Sequence, residues 1–191
     1  MFRTEIRFTG FGGQGVVLAS YIIGHACAVN SSLHATMIQS FGPEARGSAC
    51  AATLAISDEE VLYPYVGQTD FLVAMSTEGY EKYIGGLSHQ GVLIYESDLV
   101  NPDPADTRPK FGIPSTRLAE ELGRRLVQNI VMLGFVTAVT RVAAYEAMKE
   151  AVLASVPAGT EDLNLKAFEA GWQHYEKTYR DKAAKAEPVT A

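Results

Sequence analysis

Cysteine is scarce in this chain, which has only two among its 191 residues, Cys27 and Cys50. Two thiols so far apart form no Cys-x-x-Cys unit, so they exclude a zinc ligand set or an iron–sulfur cluster held by this chain alone. Cys27 lies among apolar residues of a predicted helix, which indicates a buried structural thiol. We therefore expect no metal or redox centre in the chain itself and a cytoplasmic location.

Long apolar runs and an excess of positive charge are also missing. The longest apolar run, residues 130–139, is about half the length of a membrane-spanning helix and is followed by Arg141. The formal net charge is −6, whereas nucleic acids and anionic membranes favour positively charged proteins. The sequence therefore predicts neither a nucleic acid nor a membrane as the partner.

Recognisable catalytic motifs are absent as well. There is no serine nucleophile elbow, no Cys–His pair in a motif, no metal triad and no Gly-Asp-Gly…Asn signature of a thiamine pyrophosphate site. The histidines have no ligand spacing and are expected in packing or surface roles; they are His25, His34, His89 and His174. We therefore assign no catalytic and no metal-binding residue, and we expect no complete active site in this chain alone.

The apolar segments alternate between strand and helix patterns. Continuous apolar runs at residues 71–75 and 91–95 are typical of buried parallel strands. This alternation predicts an α/β fold: a Rossmann-like, open, mostly parallel sheet with helices on both faces and a helical C-terminal part. We expect a single domain over residues 1–180 and a flexible tail over residues 181–191.

The individual elements are predicted as follows. Strands are expected at residues 5–9, 34–40, 48–56, 71–75, 91–95 and 110–113. Helices are expected at residues 18–29, 78–84, 115–122, 126–141, 144–155 and 160–179. Thr160 is predicted to cap the last helix, which carries a stripe of large side chains that either packs on its own domain or anchors a neighbouring subunit. That stripe is Leu165, Phe168, Trp172, Tyr175 and Tyr179.

A glycine-rich segment joins the first predicted strand to the first predicted helix: Gly10-Phe11-Gly12-Gly13-Gln14-Gly15. It satisfies the Gly-x-Gly-x-x-Gly pattern, in which glycines allow a tight turn and the helix N-terminus attracts a pyrophosphate. An NAD site also needs an acidic residue near the end of the second strand, but no Asp or Glu occurs between Arg7 and Pro43. NAD or FAD, a purely structural turn, another phosphate-bearing ligand and contact with a partner's backbone remain alternatives.

A second polar segment follows the second predicted strand: Gln39-Ser40-Phe41-Gly42-Pro43-Glu44-Ala45-Arg46-Gly47-Ser48. Since ligands in such sheets collect at the carboxyl ends of the strands, we expect this segment beside the glycine turn. Arg46 can form a forked pair with a phosphate or a carboxylate. An internal Glu44–Arg46 brace or a solvated loop is the alternative.

Both segments resemble signatures of one family, the gamma subunits of 2-oxoacid:ferredoxin (acceptor) oxidoreductases. The first match is residues 6–16 and the second is residues 39–47, where Ser48 replaces a glycine that often follows in the family. Further similarity at residues 56–60, 63–64 and 156–161, and at Asn129 with Gly134, keeps the family's order, so the resemblance spans roughly residues 5–175. The second segment is more similar to the 2-oxoglutarate and aryl-2-oxoacid branches than to the pyruvate branch.

This resemblance implies a subunit of a larger enzyme that converts a 2-oxoacid and coenzyme A to an acyl-CoA, CO₂ and a reduced acceptor. It implies thiamine pyrophosphate and Mg between alpha and beta subunits, iron–sulfur clusters in a further subunit, and no cofactor bound by this chain alone. By the same resemblance, coenzyme A contacts the backbones of Gly12, Gly13 and Gly15 and the side chains of Gln14 and Arg46. A free-standing NAD- or FAD-binding oxidoreductase and a purely structural assembly subunit are the alternatives.

Overall fold

The computed structural model describes residues 2–41, 49–63 and 67–180. Within these residues, the strands form one six-stranded sheet, and they are β1 (Arg3–Phe11), β2 (His34–Ser40), β3 (Ala49–Ser57), β4 (Thr69–Ala74), β5 (Leu87–Glu96) and β6 (Lys110–Ile113). Their order across the sheet is β2-β3-β1-β4-β5-β6. The tail predicted at residues 181–191 lies outside the described residues.

Strand β3 runs antiparallel to the other five strands of this sheet. The pairs β1–β4, β4–β5 and β5–β6 are parallel, whereas β3 is antiparallel to both β1 and β2. Residues 41–48, which join β2 to β3, are too few for the helical crossover that parallel neighbours need, so the chain returns as an antiparallel pair. The predicted α/β fold with a mostly parallel sheet is confirmed, with β3 as its exception.

The helices lie close to their predicted positions. They are α1 (Val16–Asn30), α2 (Thr77–Tyr83), α3 (Ser115–Glu121), α4 (Gln128–Thr140), α5 (Tyr145–Ser155) and α6 (Glu161–Thr178). The helix predicted over residues 126–141 instead opens with a 3-10 turn, Arg125–Val127, before α4 begins. No helix of the described residues is both long and apolar enough to cross a bilayer.

The helices cover both faces of the sheet. On one face, Ile6 and Phe8 of β1 belong to a large buried cluster with residues of α1, α4, α5 and α6. On the other face, Leu72 and Leu93 of β4 and β5 pack with Tyr80 of α2. Because successive side chains of a strand point to opposite faces, both layers are needed to cover the continuous apolar runs of β4 and β5.

Helices α4 and α6 approach each other at two glycines. A Cβ atom at Gly134 of α4 would overlap the carbonyl oxygen of Phe168, and a Cβ at Gly171 of α6 would overlap that of Val131. Their missing side chains therefore let the two backbones touch. Helix α4 lies in the middle of the helical layer, and it is buried along nearly its whole length.

The aromatic stripe of α6 packs inside the chain. Phe168 is fully buried and Tyr175 is 8% exposed, and Trp172 and Tyr179 pack at the rim of the same cluster. The Tyr179 hydroxyl lies 3.0 Å from both the backbone N and the carbonyl O of Gly112 in β6. Packing on its own domain, the simpler of the two predicted roles, accounts for these contacts.

The predicted cap of α6 is wrong in its contacts. The Thr160 hydroxyl donates to the carbonyl of Pro157 at 2.7 Å and accepts from the side-chain amide of Asn164 at 3.0 Å. It accepts no hydrogen bond from a backbone N–H of α6. A side chain one turn into the helix has taken the place of the backbone donor, a competition that the residue type alone does not reveal.

We expect the substitution Gly134→Ala to lower the free energy of unfolding by about 2 kcal/mol or more, because a methyl group there must push α4 and α6 apart. The measurement is urea unfolding of the full chain. Gly85→Ala is the matched control, since no atom lies within 4 Å of a Cβ at Gly85. Equal unfolding midpoints for the two variants would contradict the close helix contact.

Candidate functional site

The glycine turn lies at the carboxyl end of β1, directly before α1. Strands β2, β4 and β5 end at the same edge of the sheet, because they run in the direction of β1. This is the edge where open α/β sheets bind their ligands. The turn thus occupies the position that the sequence predicts.

The side chain of Gln14 holds the turn in shape. Its Oε1 accepts from the backbone N–H of Phe11 at 2.7 Å, and its Nε2 donates to the carbonyl of Met75 at 3.0 Å, at the end of β4. The backbone N–H of Gln14 also donates to the Phe11 carbonyl at 3.1 Å. A Cβ at Gly10 would lie 2.5 Å from Gln14 Oε1, so the glycine there leaves room for this amide. The predicted ligand contact of Gln14 stays a prediction, and this amide already bonds within the chain.

Asn129, in the first turn of α4, closes the turn from the opposite side. Its Nδ2 donates to the carbonyl of Gly15 at 3.4 Å, and the residue is 4% exposed. Gly15 has a φ of 73°, and a Cβ at this position would overlap the Asn129 side chain. Glycine is therefore required at position 15 both by the backbone conformation and by the close approach of α4.

Gly13 forms the open side of the turn. Its φ is 101°, it is exposed, and no atom lies within 4 Å of where a Cβ would stand. A glycine with positive φ and free space around it lets another molecule approach the backbone closely. Gly12, which precedes it, is half-buried.

A groove of about 260 Å³ adjoins this open side. Gly13 and Gly15 form one wall, and the 3-10 turn with the start of α4 forms another. Its lining is mainly apolar and includes Leu18, Leu126 and Val156, of which Leu126 is 76% exposed. The groove can receive an extended, largely apolar arm of a ligand whose polar end rests on the turn.

The charges around the groove favour an anion beside the turn. Neither α1 nor α4 has an acidic residue in its first turn, so the positive ends of both helix dipoles remain unopposed there. Arg124 lines the groove and is exposed. Helix α6 differs, because Glu161 and Asp162 occupy its first turn. The positive character is therefore concentrated on the side of α1 and α4.

The predicted Arg46 lies outside the described residues. The strand ends on either side of its segment are described, and they adjoin the glycine turn: Ala49 is paired with Phe11, and Ser40 is paired with Ala51. The segment that carries Arg46 therefore begins and ends at the edge of the sheet where the turn lies.

The sequence analysis missed a buried carboxylate at the same edge. Glu96, at the end of β5, is 1% exposed and accepts from the Thr116 backbone N–H at 2.9 Å and from the hydroxyl of Ser115. Thr116 in turn lies 2.8 Å from Gln128 Oε1 at the start of α4. The cluster fixes α3 and α4 to the sheet. Because the hydrogen bonds of Glu96 are made within the chain, they indicate a structural role. An acid at the end of an apolar strand was the available signal.

The described residues present neither a group of metal ligands nor an activated thiol. Among them, no three His, Cys, Asp or Glu side chains are placed to hold a metal ion. Burial raises the pKa of the Cys27 thiol to about 11 and also raises that of Cys50, so both thiols stay protonated at neutral pH. Burial lowers the pKa of His174, whose ring packs on Phe135.

Comparison with known proteins identifies the family. The family model described as pyruvate ferredoxin/flavodoxin oxidoreductase matches residues 5–174. The chain belongs to this family. The 2-oxoglutarate synthase subunit KorC of Methanocaldococcus jannaschii is 44% identical over 90% of the chain and 93% of its own length, and KorC of Methanothermobacter marburgensis is 44% identical over 88% and 95%.

Solved structures agree with this membership. The gamma subunit of a keto/oxoacid ferredoxin oxidoreductase from Geobacter sulfurreducens superimposes with a TM-score of 0.82 at 39% identity, covering 92% of this chain and 99% of that one. The predicted resemblance to oxidoreductase gamma subunits is confirmed, and with it the prediction that the chain is a subunit of an oxidoreductase.

We expect Gln14→Leu to lower the free energy of unfolding by roughly 2 kcal/mol, because two hydrogen bonds of about 1 kcal/mol each are lost at the turn. Gln173→Leu is the control; Gln173 is exposed and its amide donates to Glu169 within α6. Urea unfolding of both variants is the measurement. A Gln14 variant as stable as the control would show that the amide does not hold the turn.

Proposed function

We propose that the chain is the gamma subunit of a thiamine pyrophosphate-dependent 2-oxoacid oxidoreductase and forms part of its coenzyme A site. The complex oxidatively decarboxylates the 2-oxoacid, transfers the acyl group to the thiol of coenzyme A, releases CO₂ and passes two electrons to an acceptor. The proposed acid is 2-oxoglutarate, because the two KorC relatives are subunits of 2-oxoglutarate synthases.

The observation that carries the proposal is the glycine turn opening onto the apolar groove. Coenzyme A combines a pyrophosphate with a long, weakly polar pantetheine arm. Backbone N–H groups at Gly12, Gly13 and Gly15 suit the phosphates, since the turn precedes the positive end of α1. The groove suits the arm, and no ribose-binding acid is needed for this ligand as it is for NAD.

Side chains complete the proposed coenzyme A site. Arg46 and Arg124 supply the positive charge for the phosphates, the first by resemblance and the second from its place in the groove. Gln14 is a proposed contact through its second side-chain N–H. Its Oε1, its first side-chain N–H and its backbone N–H bond to Phe11 and Met75. These residues bind and orient; they move no proton.

The chemistry itself is proposed to reside in partner subunits. Thiamine pyrophosphate and Mg belong to alpha and beta subunits, and iron–sulfur clusters belong to a further subunit. The described residues of this chain offer no group of metal ligands, and neither thiol is activated. A cytoplasmic location of the complex remains a prediction.

The chain purified alone is expected to form no acyl-CoA from any 2-oxoacid when thiamine pyrophosphate, Mg²⁺, coenzyme A and an electron-accepting dye are supplied. The physical reason is the proposed division of labour, in which the thiamine pyrophosphate site lies between the alpha and beta subunits. The measurement is acyl-CoA formation followed by chromatography, with the complete complex as the positive control. Turnover by the lone subunit would contradict the division of labour.

In the complete complex, Arg124→Ala is expected to raise the KM for coenzyme A about tenfold, because one charge-assisted hydrogen bond to the ligand is lost. Little change in kcat is expected. Arg125→Ala is the matched control, because Arg125 is the next residue, is exposed and forms a 4.0 Å ion pair with Glu120. The assay is dye reduction at varied coenzyme A concentration.

Arg46→Ala tests the resemblance-based contact in the same assay, and a raised KM for coenzyme A is again expected. If the Arg46 and Arg124 variants both keep the KM of the unmodified complex, the coenzyme A site lies elsewhere. The chain would then be an assembly subunit, the alternative that the sequence left open.

A further inference from the structure

The two edges of the sheet differ in how their outward-facing backbone groups are hydrogen-bonded. At the β6 edge, the Tyr179 hydroxyl bonds the N–H and the C=O of Gly112, the backbone groups that the β5–β6 pairing leaves over. At the β2 edge, no described residue pairs with the outer side of the strand. A side chain thus occupies the outward-facing backbone groups of Gly112 at one edge, whereas at the other edge the row of outward-facing backbone groups of β2 pairs with no described residue.

Among the residues that the structure describes, strand β2 has none of the features that normally protect an edge. It is seven residues long, contains no charged residue and no proline, and pairs with β3 in an unbroken register from His34 to Ser40. Proteins usually protect edge strands with lysines, prolines, bulges or a covering segment. A regular, uncharged edge of this length fits an added β-strand, which alone satisfies every backbone group in the row.

Strand β2 and the neighbouring helix α1 also contain no charged residue. Between Arg7 and Glu44 the sequence contains no Asp, Glu, Lys or Arg. This stretch includes all of α1 and β2. Tyr21 and Val29 of α1 are 50% and 67% exposed. A helix that is apolar on its outer face as well as its inner face normally has a partner on both.

A shallow hollow connects α1 and β2 along this surface. Its volume is about 250 Å³, and Tyr21, Ala28 and Val29 of α1 line it together with Ala35 and Met37 of β2. The hollow also contains His25, whose Nδ1 is buried and has no hydrogen-bond partner in the described part of the chain. Within the described residues, this surface thus combines exposed apolar side chains with a buried nitrogen that has no hydrogen-bond partner.

We propose that this surface binds a second copy of the chain, with the two β2 strands antiparallel across a twofold axis. The backbone row requires a strand as the occupant. On a twofold axis each group near the axis faces its own copy, so a charge there meets a like charge; β2 and α1 avoid this in a chain of net charge −6. The same axis brings the outer faces of the two α1 helices together. This proposal is independent of the coenzyme A site.

The first experiment measures the mass of the full chain in solution by light scattering over a range of concentrations. The unmodified chain is expected to be dimeric, and Tyr21→Glu is expected to weaken the dimer at least about tenfold because it places two like charges at the axis. Leu99→Glu is the control, since Leu99 is 43% exposed and follows β5 in the other half of the sheet. It is expected to leave the dimer unchanged.

The second experiment locates the contact. Met37 is the middle residue of β2, so Met37→Cys places two thiols close together at the axis, and mild oxidation is expected to yield a disulfide-linked dimer. His89→Cys, at an exposed position of β5, is expected to yield none. A monomer at all concentrations, or a dimer that is insensitive to Tyr21→Glu and is not cross-linked through position 37, overturns the proposal. Pairing of β2 with a different subunit would give the monomer result.

Discussion

Two side-chain amides fix the shape of the glycine turn, and the candidate site depends on them. Gln14 ties the turn to the end of β4, and Asn129 ties it to the start of α4. The turn is thereby fastened to the sheet on one side and to the helical layer on the other. Without these contacts, four glycines in six residues would give a flexible loop, since glycine restricts the backbone least.

The position of Asn129 makes the site depend on the helical layer. Helix α4 can place Asn129 against Gly15 only if α4 itself is held close, and the contact between Gly134 and α6 provides this. The groove walls come from both helices as well as from the turn. The site is thus a property of the whole domain, although the motif that reveals it occupies six residues.

The positions of strands and helices could be predicted from the sequence, because local patterns of apolar residues determine them. Apolar runs of β4 and β5 and the helical spacing of α1 gave elements within a few residues of those observed, because each pattern reports burial directly. The direction of β3 was not predicted, since an Ala-rich strand has the same pattern whichever way it runs. The glycine turn and its edge were predicted correctly from the strand-to-helix context.

Contacts between residues that are far apart in the sequence could not be predicted from it. Asn129 and Arg124 lie more than 100 positions after the turn that they adjoin, and no spacing rule connects them to it. The sequence does not reveal that Gln14 bonds to the Met75 carbonyl, because that bond depends on β4 being the parallel neighbour of β1. The residue type of Thr160 predicts a cap, but it does not reveal that the side-chain amide of Asn164 takes the place of the backbone donor.

The seal that Tyr179 forms on β6 has a consequence for how large an assembly can become. A sheet that accepts neighbours at both ends can polymerise into a fibril, each new chain exposing a fresh end. With one end stopped by a phenol, growth through the other end terminates after a single junction. A single aromatic side chain directly after α6 thus opposes extension of the sheet at the β6 end.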